Sequence, residues 1–325
     1  MRRQLSLCLL VLLIGVSGEA LNSETSPEAL SYLDAAIDVM QAHSLRRGEV
    51  DWASLRAQAT AKSRGAQSCA ETYGAIRWAL GELGDQHSML LGAVDAQALQ
   101  GADLTEESRP RGELVEERIG HLVLPPFAGS QEASAAYAQA LHESICSLRS
   151  QGADRWIVNL RDNFGGDMWG MLAGIGPILG EGTCGRFVDP IGAVQTWSYR
   201  AGGAFCCGEL QVAVEESRTC LSPEAVESVA ILTNRRTCSS GEAIAIAFKG
   251  RDRARSFGEI TCGLSTANES FVLRDGAIML LTVSTFADRE GTLYGSFVRP
   301  DKTVSGYKGL QAVVDEAVKW LLLED

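Results

Sequence analysis

From about Pro27 to Gly92 the apolar residues fall at helical spacing. The segment ALSYLDAAIDVMQAHSL sets Leu30, Leu33, Ile37 and Met40 on one stripe, and Ser26 ahead of Pro27 and Glu28 makes a good helix start. GEVDWASLRAQATAKS and CAETYGAIRWALGELGD carry similar spacing, the second ending at Gly84. The pattern predicts roughly three helices packed together as a cap over residues 21–92. Residues 93–113 are polar and rich in small side chains, which marks a linker too short to hold another domain.

Beyond residue 113 the period changes. HLVLPPF (121–127), WIVNL (156–160), VAILTN (229–234) and AIMLLTVSTFA (277–287) read as strands, and ASAAYAQALHESICSLRSQG, DMWGMLAGIGPILG and GEAIAIAFKG as intervening helices. LQAVVDEAVKWLLL, apolar at 310, 313, 314, 317, 318 and 321, is a closing helix that docks on the core. Alternation of strand and helix implies crossover connections, so residues 114–325 are expected to form an α/β core with a mainly parallel sheet.

The first twenty residues stand apart. Arg2 and Arg3 precede an apolar run from Leu5 to Val16, small residues follow at Ser17, Gly18 and Ala20, and the polar LNSETSPEA comes next. This is the layout of a secretory signal peptide over residues 1–20, too short for a stable membrane span. Cys8 lies inside the apolar run, not at its small-residue end, so a lipid anchor is not indicated. No second long apolar run exists. The mature chain is therefore expected to be exported, periplasmic or secreted, without a membrane span.

The 325 residues are 46% hydrophobic and 22% charged, the balance of a globular protein with a large core. Lys plus Arg number 29 against 41 Asp plus Glu, a net charge of −12 with no basic run to attract a phosphate backbone, which argues against nucleic acid as a partner. Apart from Cys8, cysteines stand at 69, 146, 184, 206, 207, 220, 238 and 262. The even count suggests disulfides in an exported chain, and the four within 184–220 are expected to staple one loop-rich region. There is no Cys-x-x-Cys pair and His43, His87, His121 and His142 are scattered, so no metal site is expected.

In an open parallel sheet, ligands gather where loops leave the carboxyl ends of the strands, which points to the turns after WIVNL and VAILTN. RDNFGGDMWG (161–170) sets Gly165 and Gly166 just before a helix. Bare N–H groups there can hold an anion or a developing oxyanion, although an ordinary glycine turn has the same sequence. NRRTCSSGEAIAIAF sets Ser239 and Ser240 at the first turn of the next helix. A serine in that place is either a nucleophile whose own turn supplies part of an oxyanion hole or a helix cap, since Ser239-Ser240-Gly241-Glu242 is also a capping-box sequence.

A nucleophilic serine needs a base. No lysine lies between Lys62 and Lys249, and Lys249 is about 15 Å along the helix of Ser239, so a serine–lysine pair from that helix is excluded. His87, at a helix end and flanked by Asp85 and Ser88, is the better candidate. His43 and His142 fall within helical patterns, and His121 begins a strand with no polar company in the sequence.

Together these residues resemble the tail-specific, or C-terminal processing, protease family of serine peptidases, which includes the tricorn protease core and the retinoid-binding protein of the retina. LGDQHS resembles the family's Asp-x-His-Thr/Ser motif, VNLRDNFGGD its Asp-Leu-Arg-x-Asn-x-Gly-Gly loop, and TNRRTCSSGEAIA its Thr-Ala-Ser-Ser/Ala-Gly-Glu turn. GEITCG resembles its Gly-x-Thr-x-Gly segment and FVRPDKTV its late Val-x-Pro-Asp, and the motifs keep the family's order over about residues 28–323.

The resemblance implies a ClpP/crotonase-like fold, Ser239 as nucleophile, His87 as general base, and an oxyanion hole from N–H groups of Gly165, Gly166 and Ser240. It implies a peptide or protein substrate and no metal or organic cofactor. Leu264 stands where lysine-using members carry their base, which sets the chain in the histidine-using branch, and residues 93–113 leave no room for a PDZ domain. Asn159 replaces the usual Asp and Cys238 the usual Ala, while Cys262 in the Gly-x-Thr-x-Gly segment suggests a Cys238–Cys262 disulfide beside the site. Tricorn-like members orient the histidine through a late glutamate. Glu290 and Tyr294 stand near the equivalent place and Glu242 is a second candidate support, so the third member is left open. The expected function is an exported serine peptidase working through an acyl-enzyme. The alternatives are a catalytically silent protein that binds lipid or peptide on the same fold, and an esterase for small acyl compounds.

Overall fold

The computed structural model describes residues 24–214, 226–305 and 309–323, and the expected signal peptide at 1–20 lies outside them. Helix α1 (Pro27–His43) begins where Ser26 Oγ accepts the Ala29 N–H, and α2 (Trp52–Lys62) where Asp51 accepts the Ser54 N–H. With α3 (Tyr73–Glu82) they bury Leu33, Ile37, Met40, Leu55 and Ile76 in a cluster of their own. Helices alone do not close it. Met279 and Leu281 of strand β12 (Ile278–Asp288), with Leu273 and Ala277, complete the cluster, and β1 (Met89–Leu91) pairs antiparallel with β12. Within 93–113, read from sequence as a linker, the chain forms α4 (Ala93–Gln100) and enters β2 (Arg111–Glu116). Ala96 is the one buried residue of α4, which accounts for the polar character of that stretch.

The first of two sheets joins β2 to β3 (Ile119–Val123), β4 (Arg155–Asn159), β9 (Val229–Thr233), β10 (Ala254–Gly258) and β13 (Lys302–Thr303) in the order β13-β10-β9-β4-β3-β2. All its pairings are parallel except β2 with β3. Its strands are covered on both faces. Trp156, Val158, Val229 and Ile231 join the cluster of α5 (Gln131–Ser150), α6 (Met168–Leu179) and α7 (Ser240–Ala247). The alternate residues Ile157, Ala230 and Leu232 pack with Val313, Val314 and Ala317 of α8 (Leu310–Leu323). Burial on both sides is why these strands read as unbroken apolar runs.

The second sheet corrects the expectation of a mainly parallel core. It contains β5 (Gly182–Val188), β6 (Val194–Arg200), β7 (Gly203–Cys206), β8 (Glu209–Ala213) and β11 (Thr266–Val272), ordered β1-β12-β5-β6-β7-β8 with β11 on β12. Every pairing in it is antiparallel, so the molecule is a mixed α/β fold with two sheets. The cause is local. Ala201-Gly202 and Cys207-Gly208 are two-residue connections in which all four residues take positive φ, and links this short join neighbouring strands only as hairpins.

Strand β12 serves both bodies. Its first half lies in the cap cluster, while Phe286 lies in the core cluster and residues 285–288 pair with β5. The expected stapling of 184–220 is not found among the described residues, because Cys184, Cys206 and Cys207 are free thiols, as is Cys69; Cys220 lies outside the described residues. Cys238 and Cys262 are joined by a disulfide, with Cα atoms 5.3 Å apart. Among the described residues, no helix is long and apolar enough to cross a membrane.

Candidate active site

The turns that follow β4 and β9 lie side by side, and Asn163 ties them together. Its side chain is wholly buried, with Nδ2 donating to Leu124 O at 2.9 Å and Oδ1 accepting the Gly165 N–H at 2.9 Å. Its carbonyl accepts the Cys238 N–H at 2.9 Å. Gly165 and Gly166 sit at φ +106° and +114°, where a side chain is strained. They are also crowded: a Cβ on Gly165 would stand 2.8 Å from Ser239 Cβ, and one on Gly166 1.9 Å from Phe127 O. Sequence reasoning passed over Asn163, although an Asn two residues ahead of a glycine is the usual maker of such a side-chain-closed turn.

Ser239 sits at φ +52°, ψ −118°, in a strained conformation for a residue with a side chain. The capping box is in place, with Glu242 accepting the Ser239 N–H at 2.9 Å. The same carboxylate accepts from the Thr261 hydroxyl and from the N–H groups of Gly263 and Leu264, so one buried anion fixes both the serine turn and the segment that follows Cys262. Burial raises the Glu242 pKa above the usual carboxylate range, against the pull of those donors. Ser240 Oγ donates to Gly166 O at 2.6 Å, pinning the two turns to each other.

His87 arrives from the loop after α3. Asp85 Oδ1 accepts its backbone N–H at 2.9 Å, and Asn268 Nδ2 donates to its carbonyl at 3.0 Å. The ring is nearly buried, with Nε2 3.0 Å from Ser239 Oγ and Nδ1 2.8 Å from Thr266 Oγ1. Burial lowers the pKa of the imidazole below its ordinary value, and the charge of Asp85 opposes this in part. A ring that is neutral near pH 7 and in contact with a serine hydroxyl can accept its proton.

Of the residues singled out from sequence, the fold brings Ser239, His87, Gly166 and Ser240 together at one cleft. The Gly165 N–H is taken by Asn163 Oδ1, whereas the N–H groups of Gly166 and Ser240 donate to no acceptor among the described residues. Glu242 supports the serine backbone and does not touch the imidazole. Glu290 is not at the site. It lies beside Gly250, beyond the far end of α7 from Ser239, and Tyr294 donates to Asp288. His121 does have polar company: Glu113 Oε1 stands 3.2 Å from Nδ1 and Asn159 Nδ2 3.1 Å from Nε2. Thr266, whose hydroxyl meets the histidine ring, carried no signal in the sequence beyond its place three residues after Gly263.

The cleft has a volume of about 860 Å³ and runs between cap and core. Phe164, Trp169, Phe187 and Phe286 give it apolar walls, and His43 and Arg47 of the cap face Asp189 of the core across it. Arg47 and Asp189 approach to 3.8 Å, a partly exposed ion pair between cap and core.

Residues 118–304 match the sequence profile of peptidase family S41, a segment that contains Ser239 and the Gly165-Gly166 turn but not His87. The chain is 25% identical over 296 residues to the nisin-resistance protein of Lactococcus lactis subsp. lactis, covering 91% of this chain and 87% of that protein. It is 26% identical over 170 residues to carboxyl-terminal-processing peptidase 2, chloroplastic, of Arabidopsis thaliana, covering 52% of this chain and 28% of that protein. Among solved structures, a lipoprotein from Streptococcus agalactiae superposes with a TM-score of 0.75 at 24% identity, over 92% of this chain and 98% of that one. The photosystem II D1 C-terminal processing protease superposes with a TM-score of 0.56 at 15% identity, over 86% and 94% of the two chains.

Proposed function

The chain belongs to peptidase family S41, and from that footing we propose that it is an exported serine peptidase in which Ser239 is the nucleophile and His87 its general base. The observation that carries this reading is the 3.0 Å approach of His87 Nε2 to Ser239 Oγ, made between residues 152 positions apart. His87 takes the hydroxyl proton as Oγ adds to the scissile carbonyl, and returns it to the leaving amine. The oxyanion is received by the Gly166 and Ser240 N–H groups, which have no other acceptor among the described residues. Water, deprotonated by the same ring, then releases the acyl group.

Several features favour catalysis over a silent binding role: a strained serine turn, an imidazole that burial keeps neutral, and two uncommitted donors facing one cleft. The arginines and apolar run before Ala20, and the likeness to a lipoprotein, support export. The likeness along most of the chain to a nisin-resistance protein favours a peptide over a small ester as substrate.

A fluorophosphonate probe, with the labelled site mapped by mass spectrometry, tests the assignment. Modification at Ser239 is the expected result; modification at Ser240 instead overturns it. The pH profile is a second test. Protonated His87 cannot accept the serine proton, so kcat/KM falls as pH falls through the His87 pKa, and burial sets that midpoint below the ordinary 6.5. An acid limb centred above 6.5 contradicts a buried imidazole with neutral hydrogen-bond partners as the base.

A further inference from the structure

A serine–histidine pair works only if the far nitrogen of the ring is held, and in the usual arrangement a carboxylate holds it. Among the described residues no carboxylate does so. The Oδ1 of Asp85 accepts the backbone N–H groups of His87 and Ser88 and its Oδ2 accepts the Ser88 hydroxyl, so it grips the loop and not the ring. Both oxygens of Glu242 are engaged with the Ser239 turn and the 261–264 segment. Glu290 is at the other end of α7. The one side chain in hydrogen-bond contact with Nδ1 among the described residues is the Thr266 hydroxyl, at 2.8 Å.

Resting on the reading of His87 and Ser239 as base and nucleophile, we infer that Thr266 is the positioning residue that completes the site, a neutral hydroxyl standing where a carboxylate would be expected. Strand β11 is built for the task. Thr266 and Asn268, on either side of a register shift in the pairing with β12, hold His87 at two points: the hydroxyl meets the ring, and the amide donates to the backbone carbonyl. Asn268 is itself fixed, its Oδ1 accepting the Thr282 hydroxyl of β12 at 2.8 Å. Thr266 is almost buried and paired in register with Thr285 of β12, so its hydroxyl has little freedom to leave.

With the ring proton on Nδ1 and donated to Thr266 Oγ1, the Nε2 lone pair points at Ser239 Oγ, which is the tautomer a base requires. A hydroxyl can accept from Nδ1–H in that tautomer but brings no negative charge to the imidazolium formed during attack. This agrees with the lowered His87 pKa, for which Asp85 is the one charged neighbour acting on the ring and Thr266, Asn268 and Ser239 are neutral.

Thr266→Val keeps the shape and removes the acceptor. Its expected effect is a fall in kcat of about 10- to 100-fold with KM changed by less than about threefold, and Thr266→Ser restores most of the loss. Thr266→Asp places a charge beside Nδ1 and is expected to raise the acid-limb midpoint of kcat/KM by about one pH unit or more, an effect that requires residue 266 to stand against the ring of the base. Nitrogen-15 NMR of the histidine rings in the unmodified protein at pH 8 supplies a measurement independent of any variant, with His87 expected as the Nδ1-protonated tautomer. Wild-type kcat in Thr266→Val, in a protein that Ser239→Ala inactivates, overturns the role of Thr266 and leaves the serine–histidine reading intact, whereas the Nε2-protonated tautomer overturns both. Activity retained by Ser239→Ala overturns that reading itself.

Discussion

Ser239→Ala is expected to lower kcat/KM for peptide hydrolysis by about 10⁴- to 10⁶-fold in a protein that remains folded. The size follows from the unit the residues form. Without Oγ there is no atom for His87 to activate, and the residual rate comes from the oxyanion donors and substrate binding alone. The fold should tolerate the change. The backbone of residue 239 is held by the Glu242 carboxylate on its N–H, by the Cys238–Cys262 disulfide beside it, and by the Asn163 carbonyl on Cys238, none of which involves the hydroxyl. Loss of the helix-capping oxygen costs about 1 kcal/mol. Turnover of a quenched fluorescent peptide and a thermal melt, recorded on the same preparation, check both halves. Activity within tenfold of the unmodified protein would move the nucleophile elsewhere.

Gly166→Ala is expected to have the second largest effect, and to strike activity and stability together. A Cβ there would stand 1.9 Å from Phe127 O at a φ of +114°, so the backbone must move. The movement breaks the bridge in which Phe127 N–H donates to Gly165 O and Asp167 N–H to Phe127 O, and it swings the Gly166 N–H away from the oxyanion position. Loss of one such donor lowers kcat by about 10²- to 10³-fold. Strain and broken hydrogen bonds lower stability by about 2–4 kcal/mol. Gly192→Ala is the control. Gly192 has φ +87° but nothing within 4 Å of the added Cβ, so it isolates the conformational cost from the steric one. Chemical denaturation and steady-state kinetics on the two variants separate the effects. If Gly166→Ala behaved like Gly192→Ala in both, the Gly166 N–H would have no part in the reaction.

The parts of the fold that the sequence made legible are those buried on two sides. WIVNL and VAILT appear as continuous apolar runs because α5 and α6 cover one face of β4 and β9 and α8 the other. The antiparallel sheet escaped notice for the opposite reason. Strands such as VQTWSYR (β6) bury only every second residue, so their apolar positions are few and no run stands out; the glycines at 192, 202 and 208 were the better signal, as hairpin punctuation. At the site, Ser239, His87, Gly166 and Ser240 could be found because each occupies a fixed place in a local motif. Thr266 and Asn163 act through contacts made by the tertiary fold, and no local pattern tells which of many hydroxyls will meet a given imidazole. The late glutamate looked for at Glu290 failed on the same ground, since position in the sequence did not fix which end of α7 it would reach.

The division of the site between two bodies joined by β12 has a consequence for timing. Ser239 leaves the ribosome long after the cap helices, yet β12, which seats those helices and carries the partner strand of Thr266, comes only at residues 278–288. Until then the imbedded imidazole has no floor beneath it and no hydroxyl behind it. A growing chain therefore passes through most of its synthesis before the proposed base and nucleophile can be held together, and the site is assembled late.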